Sequence, residues 1–331
     1  MYVKRYYSLF MTVRWSRKSL YFGLLYSAII IVIYEATELQ FTLPWEPISV
    51  IGIAVAFYLG FKNNSSYDRT WEARKIWGAI VNDSRTFATA VIELLEKNKT
   101  ENVDEVKKDL VYRHLAWLIS LKYSLRSKRT WEHNEDPYKL KFAPAFSEEF
   151  KNGFDSEVLQ YLDSKEFNLL RTKTNISTHL LKTQTAKIKA LEDAGLISDY
   201  KLIWFHQLIG KFYDSQGMCE RIKNFPLPRQ YASTALWMNY VFCALIPFGL
   251  LSIFEASPVL HVWLTIPFSG LIIWVFFLMD RIGDYSENPF EASYNDVPIA
   301  SITRTIEIDL REMLEDENIP EPYAVENGFL M

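Results

Sequence analysis

The chain has 331 residues, 49% of them hydrophobic and 15% aromatic, with a formal net charge of −4, a mean hydropathy of −0.04 and a pI near 5.8. The acidic balance excludes a nucleic-acid partner, because a protein that neutralises phosphates carries a basic face. The length permits one large domain or two ordinary ones, and the near-zero hydropathy averages over very uneven segments.

Four stretches carry no Asp, Glu, Lys or Arg: Ser19 to Tyr34, Pro47 to Phe61, Gln230 to Phe254 and Ala256 to Met279. The last two reach the roughly 20 residues of a bilayer crossing, and the first two reach it by borrowing flanking residues. The first follows Lys4, Arg5, Arg14, Arg17 and Lys18 and lacks a small-residue cleavage site, so it is expected to remain in the mature protein. Those bases place the N-terminus on the cytoplasmic side, and the first connection, with Glu35, Glu38 and Glu46 and no base, on the other. Four crossings bring both termini to the cytoplasm.

The second apolar run continues into Lys62, Asn63, Asn64 and Ser65 with no proline or turn signal, and helical spacing of Trp71, Trp77, Ile80, Phe87, Val91 and Leu94 carries the pattern to about Asn98. A second helix is expected from about Asp104 to Leu125. Pro137 and Pro144 mark a loop, and a polar helical piece follows from about Asp163 to Glu192. Gly195 predicts a helix stop and Ser198 the N-cap of a long amphipathic helix, which Pro226 and Pro228 end before the third span. Asp280 and Arg281 mark the exit of the fourth. A loop follows, then an acidic tail with eight acids and only Arg311 as base between Glu307 and Glu326. The expected organisation is an N-terminal segment with two spans over 1–61, a cytoplasmic helical region over 62–229, two spans over 230–279, and a cytoplasmic loop and tail over 280–331.

No local chemistry stands out. His114, His133, His179, His206 and His261 never fall within four residues of one another or of Cys219 or Cys243, so no metal motif is built locally. No phosphate-binding glycine loop, nucleophile elbow or kinase signature occurs. The expectation is a protein without catalysis and without a cofactor.

On the second span Gly52, Ala56 and Gly60 lie four apart and form a stripe of small residues, with Ile53, Phe57 and Phe61 about 100° round the helix. A small stripe admits close approach of another helix. In a ring of identical chains the large stripe then converges on the axis as three apolar rings, with Asn63 and Asn64 continuing the lining below. The alternative from periodicity alone is a bundle core in which both stripes are only packed.

The segment "FYLGFKNNSSYDRTWEARKIWG" resembles the signature of the bestrophin ion channels, and "QGMCERIKNFPLPRQY" is similar to the approach to the third span in bacterial members. "SENPF", followed by Asn295 and Asp296, is similar to the loop after the last span. The three matches lie in order along the chain, and with the four-span pattern that joins them the resemblance covers nearly all of it. The resemblance implies an all-α homopentamer in a bacterial plasma membrane, around one axial pore that passes small ions passively through the bilayer. It puts an apolar neck at Ile53, Phe57 and Phe61 and a second, cytoplasmic constriction at Tyr200. It also implies a comparison with the calcium loop of animal members: Asn288 and Asp296 remain as metal candidates, but Glu291, Ala292, Ser293 and Tyr294 stand where those members carry acids, too few carboxylates for calcium's six to eight oxygens.

Ion sign stays open between chloride and sodium, because phenylalanine offers electropositive edges to anions and its face to cations. Phenylalanine at the middle neck position resembles the anion-conducting animal members, which favours chloride. A membrane-anchored scaffold that binds a partner through its acidic tail is the rival from another class.

Overall fold

The computed structural model describes residues 1–37, 41–95, 102–133, 153–257, 261–293, 295–325 and 328–330. Glu38, Asn98, Pro137, Pro144, Tyr294 and Glu326, all of which enter the sequence reading, lie outside these ranges. Among the described residues the fold is helical apart from one antiparallel bridge, Tyr2 to Phe329. The chain divides into two compact units, Lys4–Arg69 with Pro226–Glu287, and Met1–Val3 with Thr70–Phe225 and Asn288–Met331. The helix α2 (Trp45–Leu94) contributes to both and is unbroken through Lys62, Asn63 and Asn64, as its uninterrupted apolar period requires.

The first unit holds α1 (Leu9–Ala36), the start of α2, α8 (Arg229–Glu255) and α9 (Thr265–Ser286), the last preceded by a 3-10 turn. These four helices are long and apolar enough to cross a membrane. Ser8 starts α1 by accepting the Met11 amide at 3.1 Å. Outward-facing Tyr21, Phe22, Leu25, Ile29, Val32 and Ile33 are exposed on α1, an apolar area that suits lipid and not water. Its inner face meets α9 at Gly23 and Gly270. A Cβ added to Gly23 would stand 3.2 Å from the Gly270 Cα, and one on Gly270 would stand 2.5 Å from Leu24 Cδ2, so small residues set the crossing. The core of the unit joins Ile48, Val55 and Leu59 of α2 to Phe242 and Ile246 of α8 and Ile273 of α9.

The second unit is organised on α3 (Val103–Arg126), which packs against α4 (Phe154–Val158), α6 (Ile176–Asp193), α7 (Asp199–Asn224) and α10 (Ile299–Met313). The expected helix over Asp163 to Glu192 is two: α5 (Ser164–Arg171) and α6, separated where the Asn175 side chain accepts the Thr178 amide at 3.0 Å and caps α6. Gly195 ends α6 at φ 70°, with Leu196 N bonded to Leu191 O and Gly195 N to Glu192 O. This paired closure of the last carbonyls needs a left-handed residue, which glycine supplies without a Cβ penalty. Ser198 stands at the N-cap of α7 as expected, though its side chain accepts no capping bond.

Two readings are corrected. Trp71, assigned to the apolar face of the helix, is 51% exposed. The acidic tail begins inside α10, whose Ile299, Thr303, Ile306 and Leu310 are buried at helical spacing. Even Glu307 is withdrawn there, accepting from the Tyr161 hydroxyl.

Candidate functional site

The part of α2 within the first unit has two faces. Ile48, Val55, Leu59, Lys62 and Ser66 are buried. Ile53, Phe57 and Phe61 face away from them and are 58%, 66% and 60% exposed. This is the opposite of a core position in the single chain. Asn64, at three residues beyond Phe61, is exposed on the same side. Asn63 turns from it: a Cβ on Gly283 of α9 would fall 2.2 Å from Asn63 Oδ1, so the amide is seated on the bare glycine backbone.

The small stripe also divides. Gly52 is buried, and a Cβ there would come within 2.6 Å of the Phe242 ring of α8. Its close approach is therefore to a helix of its own chain. Ala56 is half-buried and Gly60 has open space where a side chain would start, which narrows the stripe available to a neighbour to these two. Tyr200, near the N-terminus of α7, is 87% exposed.

The chain leaves its apolar spans through ion pairs with one or both members buried. Lys62 Nζ bonds Asp280 Oδ1 of α9 at 2.8 Å and lies 4.0 Å from Asp284 Oδ1. Arg229 pairs with Glu287 at 2.7 Å, and Arg69 Nε donates to the Glu287 carbonyl at 2.8 Å. Sequence reasoning marked Asp280 only as an exit. The signal for the pair was present, since Lys62 and Asp280 each directly follow a charge-free run.

In the second unit, Asp296 accepts from Arg126 Nη1 at 2.8 Å, from the Ala292 amide at 2.6 Å and from the Ser293 hydroxyl at 2.6 Å. Arg126 and Asp296 are 4% and 1% exposed at their side chains. Burial pulls the Arg126 guanidinium below its ordinary pKa, opposed by Asp296. Asn288 Nδ2 points to Glu291 Oε2 at 3.4 Å, and Glu291 in turn receives the His133 amide at 3.1 Å. Nearby, Lys223 pairs with Glu132; burial lowers the lysine's pKa, and Glu132 acts against that shift. Both oxygens of Asp296 are thus occupied by protein donors, and a guanidinium stands where a cation would have to go. Among the described residues no group of three His, Cys, Asp or Glu could hold a metal ion.

Four helices long and apolar enough to cross a membrane, one of them with Ile53, Phe57 and Phe61 left outward, define a helical integral membrane protein. The sequence profile of the bacterial/fungal bestrophin proteins matches residues 15–312. The chain belongs to that family. It is 30% identical to a voltage-dependent anion channel-forming protein of Salmonella typhi, over 90% of this chain and 86% of that one. It is 27% identical to a protein of the same description from Escherichia coli K12, over 87% and 82%. The crystal structure of a bacterial bestrophin homologue from Klebsiella pneumoniae superposes with a TM-score of 0.75 at 25% identity, covering 91% of this chain and 98% of that one.

Proposed function

We propose that this chain forms an ion channel that conducts small anions, chloride among them, passively through a bacterial plasma membrane, as a homopentamer around one axial path. Ile53, Phe57 and Phe61 form the apolar neck, Asn64 continues the lining below it, and Tyr200 narrows the path again. Asn63, expected in the lining, is assigned to holding α2 on α9 instead. Ala56 and Gly60 contact the next subunit. Both termini, residues 62–229 and residues 280–331 lie on the cytoplasmic side. No catalytic step and no cofactor is part of this reading.

The observation that carries it is the exposed Ile53–Phe57–Phe61 face on a helix whose other face is fully packed. Three large apolar side chains left outward at helical spacing need cover, and lining a narrow neck between copies supplies it. Apolar rings of this kind gate by dewetting. The relatives named as anion channel-forming support the ion sign. The deciding experiment reconstitutes the purified chain in liposomes and follows flux under chloride and sodium gradients. Chloride flux is expected, and vesicles as tight as protein-free ones would leave the scaffold reading.

A further inference from the structure

At about 100° per residue, Glu46, Val50, Ile53, Phe57, Phe61, Asn64 and Asp68 fall within an arc of about 80° on α2. All seven are exposed. The stripe proposed as the neck therefore begins and ends on a carboxylate, with no charge between. Glu46 and Asp68 are separated by about 33 Å of helix at 1.5 Å per residue, close to the roughly 30 Å of a hydrocarbon core. The two acids bound the uncharged part of the stripe at its two ends.

The bases of the same stretch do the reverse. Lys62 and Arg69 lie about 160–180° round from Ile53 and are engaged with α9 and the residue after it, Lys62 with Asp280 and Arg69 with the Glu287 carbonyl. No ion pair or side-chain hydrogen bond holds the Glu46 or Asp68 carboxylate among the described residues. Glu46 also lies in the first turn of α2, where a negative charge favours the helix end. That role does not require it to share the stripe, and Asp68 has no such role.

We infer that Glu46 and Asp68 are specificity-determining residues, which form carboxylate rings at the two mouths of the apolar neck and favour cations over anions there. The inference rests on the conduction reading and refines its ion sign. Rings of Asp or Glu concentrate cations and repel anions in a confined mouth, so they oppose the anion passage of this channel. The chain's chloride-to-sodium permeability ratio is set lower than its neck alone would give.

The test measures reversal potentials in a sodium chloride gradient for the reconstituted full chain, its Asp68→Asn and Glu46→Gln variants and the double variant. Each single change is expected to raise the chloride-to-sodium ratio, and the double change to raise it about tenfold. In the unaltered chain the ratio should also rise as salt goes from about 0.02 M to about 1 M, because screening shortens the reach of the rings. Intact flux with reversal potentials equal to the unaltered chain's overturns the inference and leaves conduction standing. If Asp68→Asn does not assemble, Glu46→Gln and the salt series decide in the same way. Absence of flux from the unaltered chain overturns both readings together.

Discussion

Lys62 Nζ lies 2.8 Å from Asp280 Oδ1, with the two side chains 2% and 11% exposed. The pair ties α2 to α9 one residue past Phe61, and on the same stretch Asn63 is seated against Gly283. A charge this deep holds only because its partner is there; removing one member leaves the other uncompensated, at a cost of about 3–5 kcal/mol. Lys62→Met is therefore expected to lower thermal stability sharply in detergent, while Lys62→Met with Asp280→Leu recovers much of the loss. Unfolding curves of the three chains check it.

Much of this architecture was readable in the residues, and what was not had a physical reason. The charge-free runs gave four membrane helices because lipid tolerates little else, and the unbroken period of α2 gave its run through Lys62. The burial of Lys62 was masked, since a long basic side chain at the end of an apolar run ordinarily reaches for water, and only the matching place of Asp280 after another charge-free run hinted at the pair. The start and buried face of α10 were hidden by its own acids: Glu307, Asp309 and Glu312 read as part of an acidic tail, although Ile299, Thr303, Ile306 and Leu310 kept helical spacing. Gly52 shows a further limit. A small-residue stripe announces a close approach but does not say whose helix arrives, and here α8 of the same chain arrives at one of its three positions.

Arg126 in the place of a cation predicts indifference to calcium. Currents from the reconstituted chain are expected to be unchanged when calcium on the loop's side is chelated, and again when it is restored. Asp296→Asn should weaken folding by leaving Arg126 buried and partly unpaired, about 3–5 kcal/mol at most, without creating a calcium response. Recordings during chelation, alongside melting curves, test both statements.

His114 gives a prediction in pH. It is buried among Phe87, Trp117 and Phe212, at ring distances of 5.2, 5.2 and 4.6 Å, with Nε2 2.9 Å from the Ser84 hydroxyl. Desolvation lowers its pKa from 6.5 to about 3. The unfolded chain therefore takes up a proton between those values and the folded chain does not. Stability is fully present above about pH 6.5 and falls as pH drops towards 3, by on the order of 4 kcal/mol in all. His114→Phe keeps a ring in place and should flatten this part of the melting-temperature profile. Ser84 loses little, since its hydroxyl also donates to the Ile80 carbonyl at 2.6 Å.

At the proposed subunit contact, Gly60 has open space for a side chain and Ala56 is half-buried. Leucine at Ala56 should force neighbouring helices apart while leaving each chain folded. The expected result is a shift from the proposed pentamer to smaller species on size-exclusion chromatography, with helix content unchanged. Normal assembly and normal current in Ala56→Leu would place the contact elsewhere.

The neck itself is tested at Phe57. Its side chain is 66% exposed, so truncation to alanine removes little packing within the chain, whereas a buried Phe in a bundle core costs about 3–5 kcal/mol when cut back. The two roles thus separate on stability as well as on current. In the proposed neck, a ring of Phe57 side chains around a narrow path excludes water, and an ion crossing it loses hydration that no protein dipole replaces. Each 1.4 kcal/mol taken off that barrier raises passage about tenfold where the neck is limiting. Phe57→Ala should then assemble as the unaltered chain does and conduct more, and the triple alanine change at Ile53, Phe57 and Phe61 should conduct more freely still. Single-channel recording beside size-exclusion chromatography reads both quantities. Intact assemblies with unchanged or smaller currents would remove the gate from these residues, and broken assemblies would return them to the packing role that their spacing first allowed.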